Sequence, residues 1–353
     1  MWSMAKDLKN ITVLGCGRWA SFHAWYQAIR LEHNVLMWGR EEDPMYKELS
    51  TTRKNDFWEL PQNVNCTSDL QHVLEFSDYI IIVISAQGMR DLSPKIAKAL
   101  STLDNKSQKK FVLCMKGIDD TTLETLSQLL RRELDVHKDK INASICVWLG
   151  PGHIQEFLEG QPGVMIIDGE DRDVVLHVVN KFKSDSMKLY AGHDLIGAEV
   201  GAAAKNVFGI AAGILDGAGF SSLKGALMAR GVFEVSRLVV AMGGDKLTPY
   251  GLSHLGDFEA TLFSRNSNNR RFGEAVIKHV KDKQALEENI AKQLRLPLAE
   301  GVGTSKAMYL LAKKYNIEMP ISNFVYNVLH KGADPFKAYR DLFMRGNLDE
   351  FHY

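Results

Sequence analysis

Short apolar runs recur through the first half of the chain, separated by stretches whose apolar residues fall at helical spacing. Residues 11–14, 34–38, 79–84, 111–115 and 143–148 form the runs, and residues 79–84 are apolar but for the Tyr79 hydroxyl. Such runs are expected of strands buried on both faces of a parallel sheet. Helical patterns at residues 19–32 and 121–134 lie between them, so the alternation predicts βαβ units in a doubly wound sheet. Residues 164–167 and 187–190 extend that sheet. Beyond about Ala191 the strand-like runs stop, and helical patterns continue to the end, among them residues 225–241, 270–281 and 305–314. The expected architecture is therefore α/β: a Rossmann-like doubly wound domain over residues 1–190, then an all-α domain over residues 191–353. Neither half contains a repeat or a low-complexity tract.

Composition narrows the class without changing that picture. A chain of 353 residues exceeds one ordinary core, and 45% hydrophobic with 24% charged residues is a globular balance. Lys+Arg and Asp+Glu are equal at 43 each, so no whole-chain charge draws the protein to nucleic acid or an anionic membrane. The four cysteines, Cys16, Cys66, Cys114 and Cys146, have no metal-ligand spacing, and no metal is expected. Three of them sit in apolar runs, where cysteine behaves as a small hydrophobe, and a reducing cytoplasm fits best. The first ten residues lack the apolar run of a signal peptide. Residues 197–220 are weakly polar but carry Glu199, Lys205, Asn206 and Asp216, which favours a buried central helix over membrane insertion.

The first candidate chemistry is the turn Gly15-Cys16-Gly17-Arg18-Trp19-Ala20, directly after the first strand and opening the first helix. A first glycine permits the tight turn, a second admits a pyrophosphate against backbone, and Ala20 supplies the small residue needed for helix–sheet packing. Helix-start N–H groups then face the phosphates. The second strand ends in Trp38-Gly39-Arg40 rather than in the acidic residue that holds a ribose 2′-OH. Arg40 favours the 2′-phosphate of NADPH, while Glu41 and Glu42 leave NADH use open.

Two lysines follow. Lys116 ends the fourth strand candidate, beyond the carboxyl end where ligands of open α/β sheets bind. Lys205 interrupts a row of glycines, Gly197, Gly201, Gly209 and Gly213, spaced four apart in a helix. Four residues turn through about 400°, so these positions share a slowly drifting face. Glycine costs roughly 1 kcal/mol against alanine in a helix, so the row calls for close packing, for ligand approach, or for both. A partly desolvated lysine there gives up its proton readily and suits general acid–base work.

The segment from Gly197 through Ala204-Lys205-Asn206 to Ile214 looks like an ALKN helix, and Asp216-Gly217 and Ala229-Arg230-Gly231 follow it. Gly251-Leu252-Ser253-His254-Leu255-Gly256-Asp257 matches a GLxGLGD element, and Asn269-Arg270-Arg271-Phe272-Gly273 matches the end of an SRNRRxG element. In this order the chain resembles the NAD(P)-dependent glycerol-3-phosphate dehydrogenases, the bacterial type above all, over residues 11–353. The resemblance implies an all-α second domain of the 6-phosphogluconate dehydrogenase C-terminal-like kind. It implies reversible hydride transfer between nicotinamide C4 and C2 of sn-glycerol 3-phosphate, whose oxidised form is dihydroxyacetone phosphate, for glycerophospholipid synthesis. It makes Lys205 the proton donor and acceptor, Lys116 a contact to substrate and cofactor, and Asp257, Asn206 and Thr261 their support. Arg18, Trp19, Ile154, Asn268 and Glu300 fall at cofactor-contacting positions. Gly150, Gly152, Ser267, Asn268, Asn269 and Arg270 fall at substrate-binding ones. A homodimer is expected on the same ground.

Two departures stand out. Aligned from Arg270-Arg271-Phe272-Gly273, the SRN triplet falls on Ser267-Asn268-Asn269, so Asn268 replaces the phosphate-binding arginine. Asparagine lacks the charge and the fork suited to phosphate; Arg265, in an SRN triplet three residues earlier, or Arg270 must compensate. The family's GPSFA segment reads Gly150-Pro151-Gly152-His153-Ile154, which loses the serine side chain. A ketopantoate or β-hydroxyacid-type reductase shares the expected architecture, and a non-catalytic dinucleotide sensor is the alternative from another class.

Overall fold

In the computed structural model, residues 9–55, 59–104, 107–264, 267–279 and 300–346 are described. The chain forms two compact units. The first comprises Met1–Met115, Leu126–Trp148 and His153–His193, and the second Lys116–Thr125, Leu149–Gly152 and Asp194–Tyr353. Lys116 and Gly150, though upstream of residue 190, thus belong with the helices of the second unit.

The first unit is built on eight strands: β1 Asn10–Leu14, β2 Asn34–Trp38, β3 Val64–Thr67, β4 Tyr79–Ile82, β5 Lys109–Leu113, β6 Ala143–Leu149, β7 Gly163–Gly169 and β8 Met187–Ala191. They form one sheet in the order β3-β2-β1-β4-β5-β6-β7-β8. β1 pairs in parallel with both β2 and β4, so the strand order reverses beside it. The helices are α1 Arg18–Trp25, α2 Pro44–Thr52, α3 Leu70–Phe76, α4 Met89–Ser101, α5 Leu126–Asp135, α6 Ile154–Leu158 and α7 Arg172–Phe182. Asp43, Asp69 and Asp171 cap α2, α3 and α7 through their carboxylates. Ile11, Val13, Met37, Ile81 and Val112 are wholly buried in the core beneath them.

Two helical expectations shift. The pattern at residues 19–32 is α-helical only as far as Trp25, then widens to a π turn over Tyr26–Arg30. There the Tyr26 hydroxyl donates to Phe182 O at 2.7 Å, and His33 N–H closes back on Gln27 O. The helix expected from residue 121 begins only at Leu126. Asp119 takes the N–H groups of Thr121 and Thr122 at 3.0 and 2.7 Å, and Leu123 turns through a positive φ of 61°. These local side-chain bonds compete successfully with helix formation. β3 and the helices α2, α3, α4, α6 and α7 are not among the elements named from the pattern.

The second unit is helical: α8 Leu195–Gly217, α9 Lys224–Ala241, α10 Asp257–Phe263, α11 Asn268–His279, α12 Glu300–Tyr315, α13 Pro320–Lys331 and α14 Pro335–Phe343. Asp194 caps α8 by accepting from Gly197 N and also binds Asp245 N and Thr248 Oγ1. By length and composition α8 could cross a membrane, but 83% of its most apolar stretch is buried. From Gly197 to Leu215 every residue is buried except Lys205.

The glycine row is a packing seam along its length. A Cβ at Gly213 would lie 1.9 Å from Arg270 O, and one at Gly273 2.1 Å from Ile210 O, so the backbones of α8 and α11 are in direct contact. Gly209 meets Thr261 and Asn269, and Gly201 meets His254.

Candidate active site

In the first unit, the turn after β1 satisfies three separate demands. Gly15 adopts φ +132°, and a Cβ there would lie 2.1 Å from Val83 O, so no other residue fits. Gly17 precedes α1, and a Cβ there would meet nothing within 4 Å, which leaves its backbone open to an approaching group. Ala20 is wholly buried against Gly15, allowing α1 to sit close on β1. The first-turn N–H groups of α1, including those of Arg18 and Trp19, have no partner within the helix itself. The cradle fits a dinucleotide pyrophosphate. Burial lowers the pKa of Arg18. Trp19 packs edge-on to Phe22 at 5.5 Å. Arg40, just past β2, is 63% exposed and only loosely paired with Glu42 at 3.8 Å. Ile154 is buried at the start of α6.

In the second unit, one carboxylate gathers both lysines. Asp257 Oδ2 lies 2.5 Å from Lys116 Nζ, and Oδ1 lies 3.4 Å from Lys205 Nζ. Lys116 also donates to Gly150 O at 3.2 Å, and Lys205 to Thr261 Oγ1 at 3.1 Å. Thr261 in turn donates to Asp257 O one helical turn back on α10. Asn206 donates to Lys116 O at 3.2 Å and to Glu300 Oε2 at 3.4 Å, while its own oxygen accepts from Asn269 Nδ2 at 3.0 Å. Asn269 Oδ1 closes the chain by accepting from Gly301 N. The stretches bearing Lys116 and Gly150 and the helices α10, α11 and α12 are thereby tied to α8 around Lys205.

The charge states follow from this packing. Burial pushes the Lys205 ammonium below the ordinary lysine value, opposed by Asp257 and reinforced by Lys116. Burial alone would raise the Asp257 carboxyl, but the two ammonium groups outweigh it and hold the carboxyl below its usual range. Burial raises Glu300, against the pull of Lys205, Lys116 and the Asn206 hydrogen bond. The cluster is an ionised carboxylate between two cations, one of them poised to release a proton.

Lys116, Lys205, Asp257, Asn206, Thr261, Asn269, Glu300 and Gly150 are thus brought together, while Ser267 and Arg270 make their described contacts elsewhere. The Arg270 guanidinium is committed to Asp216 at 2.7 Å and Glu274 at 2.6 Å, and its Nε donates to Ser264 O. Lys224 shares Asp216 at 3.0 Å. Asn269, expected at the phosphate, instead spends both ends of its amide inside the network around Lys205. Asn268 is exposed at the start of α11, and Ser267 Oγ accepts from Arg270 N. Arg265 lies outside the described residues. Gly150 and Gly152 adopt φ of +137° and +147°, conformations a serine rarely takes, so this loop follows a path suited to its glycines. Sequence reasoning passed over Asp216 as an anchor for Arg270, and gave no role to His254, which is wholly buried with Nδ1 2.7 Å from Gly201 O.

Residues 10–175 match the family model described as NAD-dependent glycerol-3-phosphate dehydrogenase N-terminus, and residues 194–340 match that of the C-terminus. The chain belongs to this family. Among its relatives, a glycerol-3-phosphate dehydrogenase (NAD(P)+) of Thermoanaerobacter sp. (strain X514) is 32% identical, covering 97% of this chain and 99% of the relative. One from Staphylococcus aureus (strain JH9) is 33% identical over 97% and 100%. The crystal structure of glycerol-3-phosphate dehydrogenase from Coxiella burnetii has a TM-score of 0.83 at 26% identity, covering 96% of this chain and 99% of that one. Matches to both halves favour this family over the ketopantoate-type reductases of similar architecture.

Proposed function

We propose that this member of the glycerol-3-phosphate dehydrogenase family reduces dihydroxyacetone phosphate to sn-glycerol 3-phosphate, the backbone of glycerophospholipids, with NADPH or NADH. The observation that carries the reading is the largely but not fully buried Lys205 ammonium beside a carboxylate, Asp257, that it shares with Lys116. When bound, the nicotinamide supplies a hydride to C2 of the substrate. The carbonyl π pair moves to oxygen, and Lys205 Nζ donates the proton that this oxygen requires. Burial helps, because an ammonium of lowered pKa parts with its proton more easily. Asp257 keeps Lys205 charged until then, and Lys116 adds a second cation to offset charge growing on the oxygen. The pyrophosphate falls to the Gly15–Gly17 turn and the 2′-phosphate to Arg40. Substrate phosphate is assigned to the start of α11, at Ser267 and Asn268, with Arg265 as its cation. A homodimer in the cytoplasm completes the reading, in keeping with four cysteines that form no disulfide among the described residues.

The deciding experiment follows NADPH and NADH oxidation with dihydroxyacetone phosphate, ketopantoate and simple β-keto acids as acceptors. Turnover confined to dihydroxyacetone phosphate is expected. Faster reduction of a keto acid would reassign the substrate, and tight NADPH binding without any turnover would make the protein a sensor.

A further inference from the structure

The GLxGLGD element carries glycine at its fourth position, where this chain has His254. The ring is wholly buried, and its Nδ1 lies 2.7 Å from Gly201 O on α8. Gly201 stands one helical turn before Lys205, and His254 stands three residues before Asp257. In a regular helix the carbonyl of Gly201 is also the one that accepts the amide N–H of Lys205. Room for the ring comes from Gly201 itself, whose added Cβ would sit 2.7 Å from His254 Cβ. Phe258, the residue after Asp257, stacks on the imidazole at 5.2 Å, and Phe208 of α8 meets it edge-on at 6.0 Å.

We propose that His254 is a positioning residue: by donating Nδ1–H to Gly201 O, it clamps the turn bearing Lys205 to the turn bearing Asp257 and so sets the spacing of that pair. The inference rests on the dehydrogenase reading above and assigns the pair a gauge that the family pattern does not contain. Burial drives the imidazole pKa down to about 4, with the Gly201 bond and the Asp257 charge pulling upward and Lys205 downward. At neutral pH the ring is uncharged, and a carbonyl partner at Nδ1 places the single N–H there. Nε2 is buried with no hydrogen-bond partner among the described residues, so the polar work of the side chain goes through Nδ1.

A ring that only filled space would behave differently from a ring that donates, and two substitutions separate these roles. His254→Phe keeps the ring and removes the donor; His254→Asn removes the ring and keeps an N–H near the Nδ1 position. With dihydroxyacetone phosphate as acceptor, His254→Phe should hold its melting temperature and its KM for NADPH while kcat falls about tenfold, since small misplacements of a reacting group are costly. Lys205 faces Asp257, Lys116, Glu300 and Thr261. Loosening its contact with Asp257 removes the influence that holds its pKa up, so the alkaline limb of the reductive profile should move to lower pH. His254→Asn should recover most of kcat at a lower melting temperature.

Wild-type kcat and pH profile in His254→Phe would overturn the inference. If that variant fails to fold, His254→Asn and His254→Ala decide it: several-fold higher kcat in the asparagine variant supports the clamp, and equal values overturn it. Failure of the wild-type protein to reduce dihydroxyacetone phosphate would strike the functional reading instead. The clamp is then judged by NMR titration of the Lys205 ammonium, assigned by its loss in Lys205→Ala. A downward shift in His254→Phe supports the clamp, and no shift overturns it.

Discussion

Both units place glycines where chemistry is expected, and they use them for opposite purposes. At the turn after β1, Gly15 is needed for its positive φ and Gly17 for the open space in front of it. Along α8, the glycines have ordinary helical backbone, and each is filled up to contact by a neighbour, down to 1.9 Å between a Gly213 Cβ and Arg270 O. Absence of a side chain therefore leaves open backbone in one region and admits another helix in the other. The neighbours reveal which: emptiness around Gly17, a backbone carbonyl against Gly213. Lys205, the one long side chain in the row, reaches its partners because the glycines around it let α10 and α11 close in, and Gly301 does the same for α12.

Substitutions can break this contrast, and the largest effect falls on the lysine. Lys205→Ala should lower kcat by at least about 100-fold, the usual scale for a lost general acid. Its affinity for NADPH, followed by fluorescence titration, should stay near wild type. Next come the glycines themselves. Gly213→Ala must part α8 from α11 and should cost about 3 kcal/mol in denaturant unfolding, the upper range for overpacking a core. Gly17→Ala should leave unfolding unchanged but weaken NADPH binding roughly tenfold, about 1.4 kcal/mol. If Gly17→Ala destabilised the fold and spared binding, the two regions would be alike after all.

The pH dependence sharpens the contrast on the side of α8. If Lys205 donates the proton as proposed, kcat/KM for dihydroxyacetone phosphate should hold at low pH and fall as pH rises through a pKa below the ordinary 10.5. Oxidation of glycerol 3-phosphate needs the neutral amine and should rise across the same interval. Parallel limbs in the two directions would remove Lys205 from the proton transfer. The smallest effect is expected at Arg40. It is exposed and screened, so Arg40→Ala should raise KM for NADPH only about fivefold and leave that for NADH level.

The sheet was legible because buried parallel strands are written as uninterrupted apolar runs, and β1, β2, β4, β5 and β6 all carry one. β3 was not: in Val64-Asn65-Cys66-Thr67 only Val64 is fully buried, and four half-polar residues make no pattern. Nor was the start of α5, which depends on where Asp119 spends its carboxylate rather than on periodicity. At the site, Lys116, Lys205 and Asp257 were found through their positions in motifs, but not their meeting on one carboxylate. Asp257 lies 141 residues from Lys116, and such a distance in sequence carries no local signal. Arg270 read as a phosphate ligand because arginine suits phosphate. Its pairing with Asp216, 54 residues away, carried no local signal. His254 was hidden for a different reason, since a histidine within a glycine-rich motif gives no hint that it will be swallowed whole.

The burial of α8 has a practical consequence. The helix that carries Lys205 is also the buried spine of its unit, so loss of that helix takes the lysine away from Asp257 and Thr261. Heat or denaturant should therefore extinguish turnover in step with the loss of helical signal, and initial velocity becomes a gauge of how many molecules in a sample remain folded.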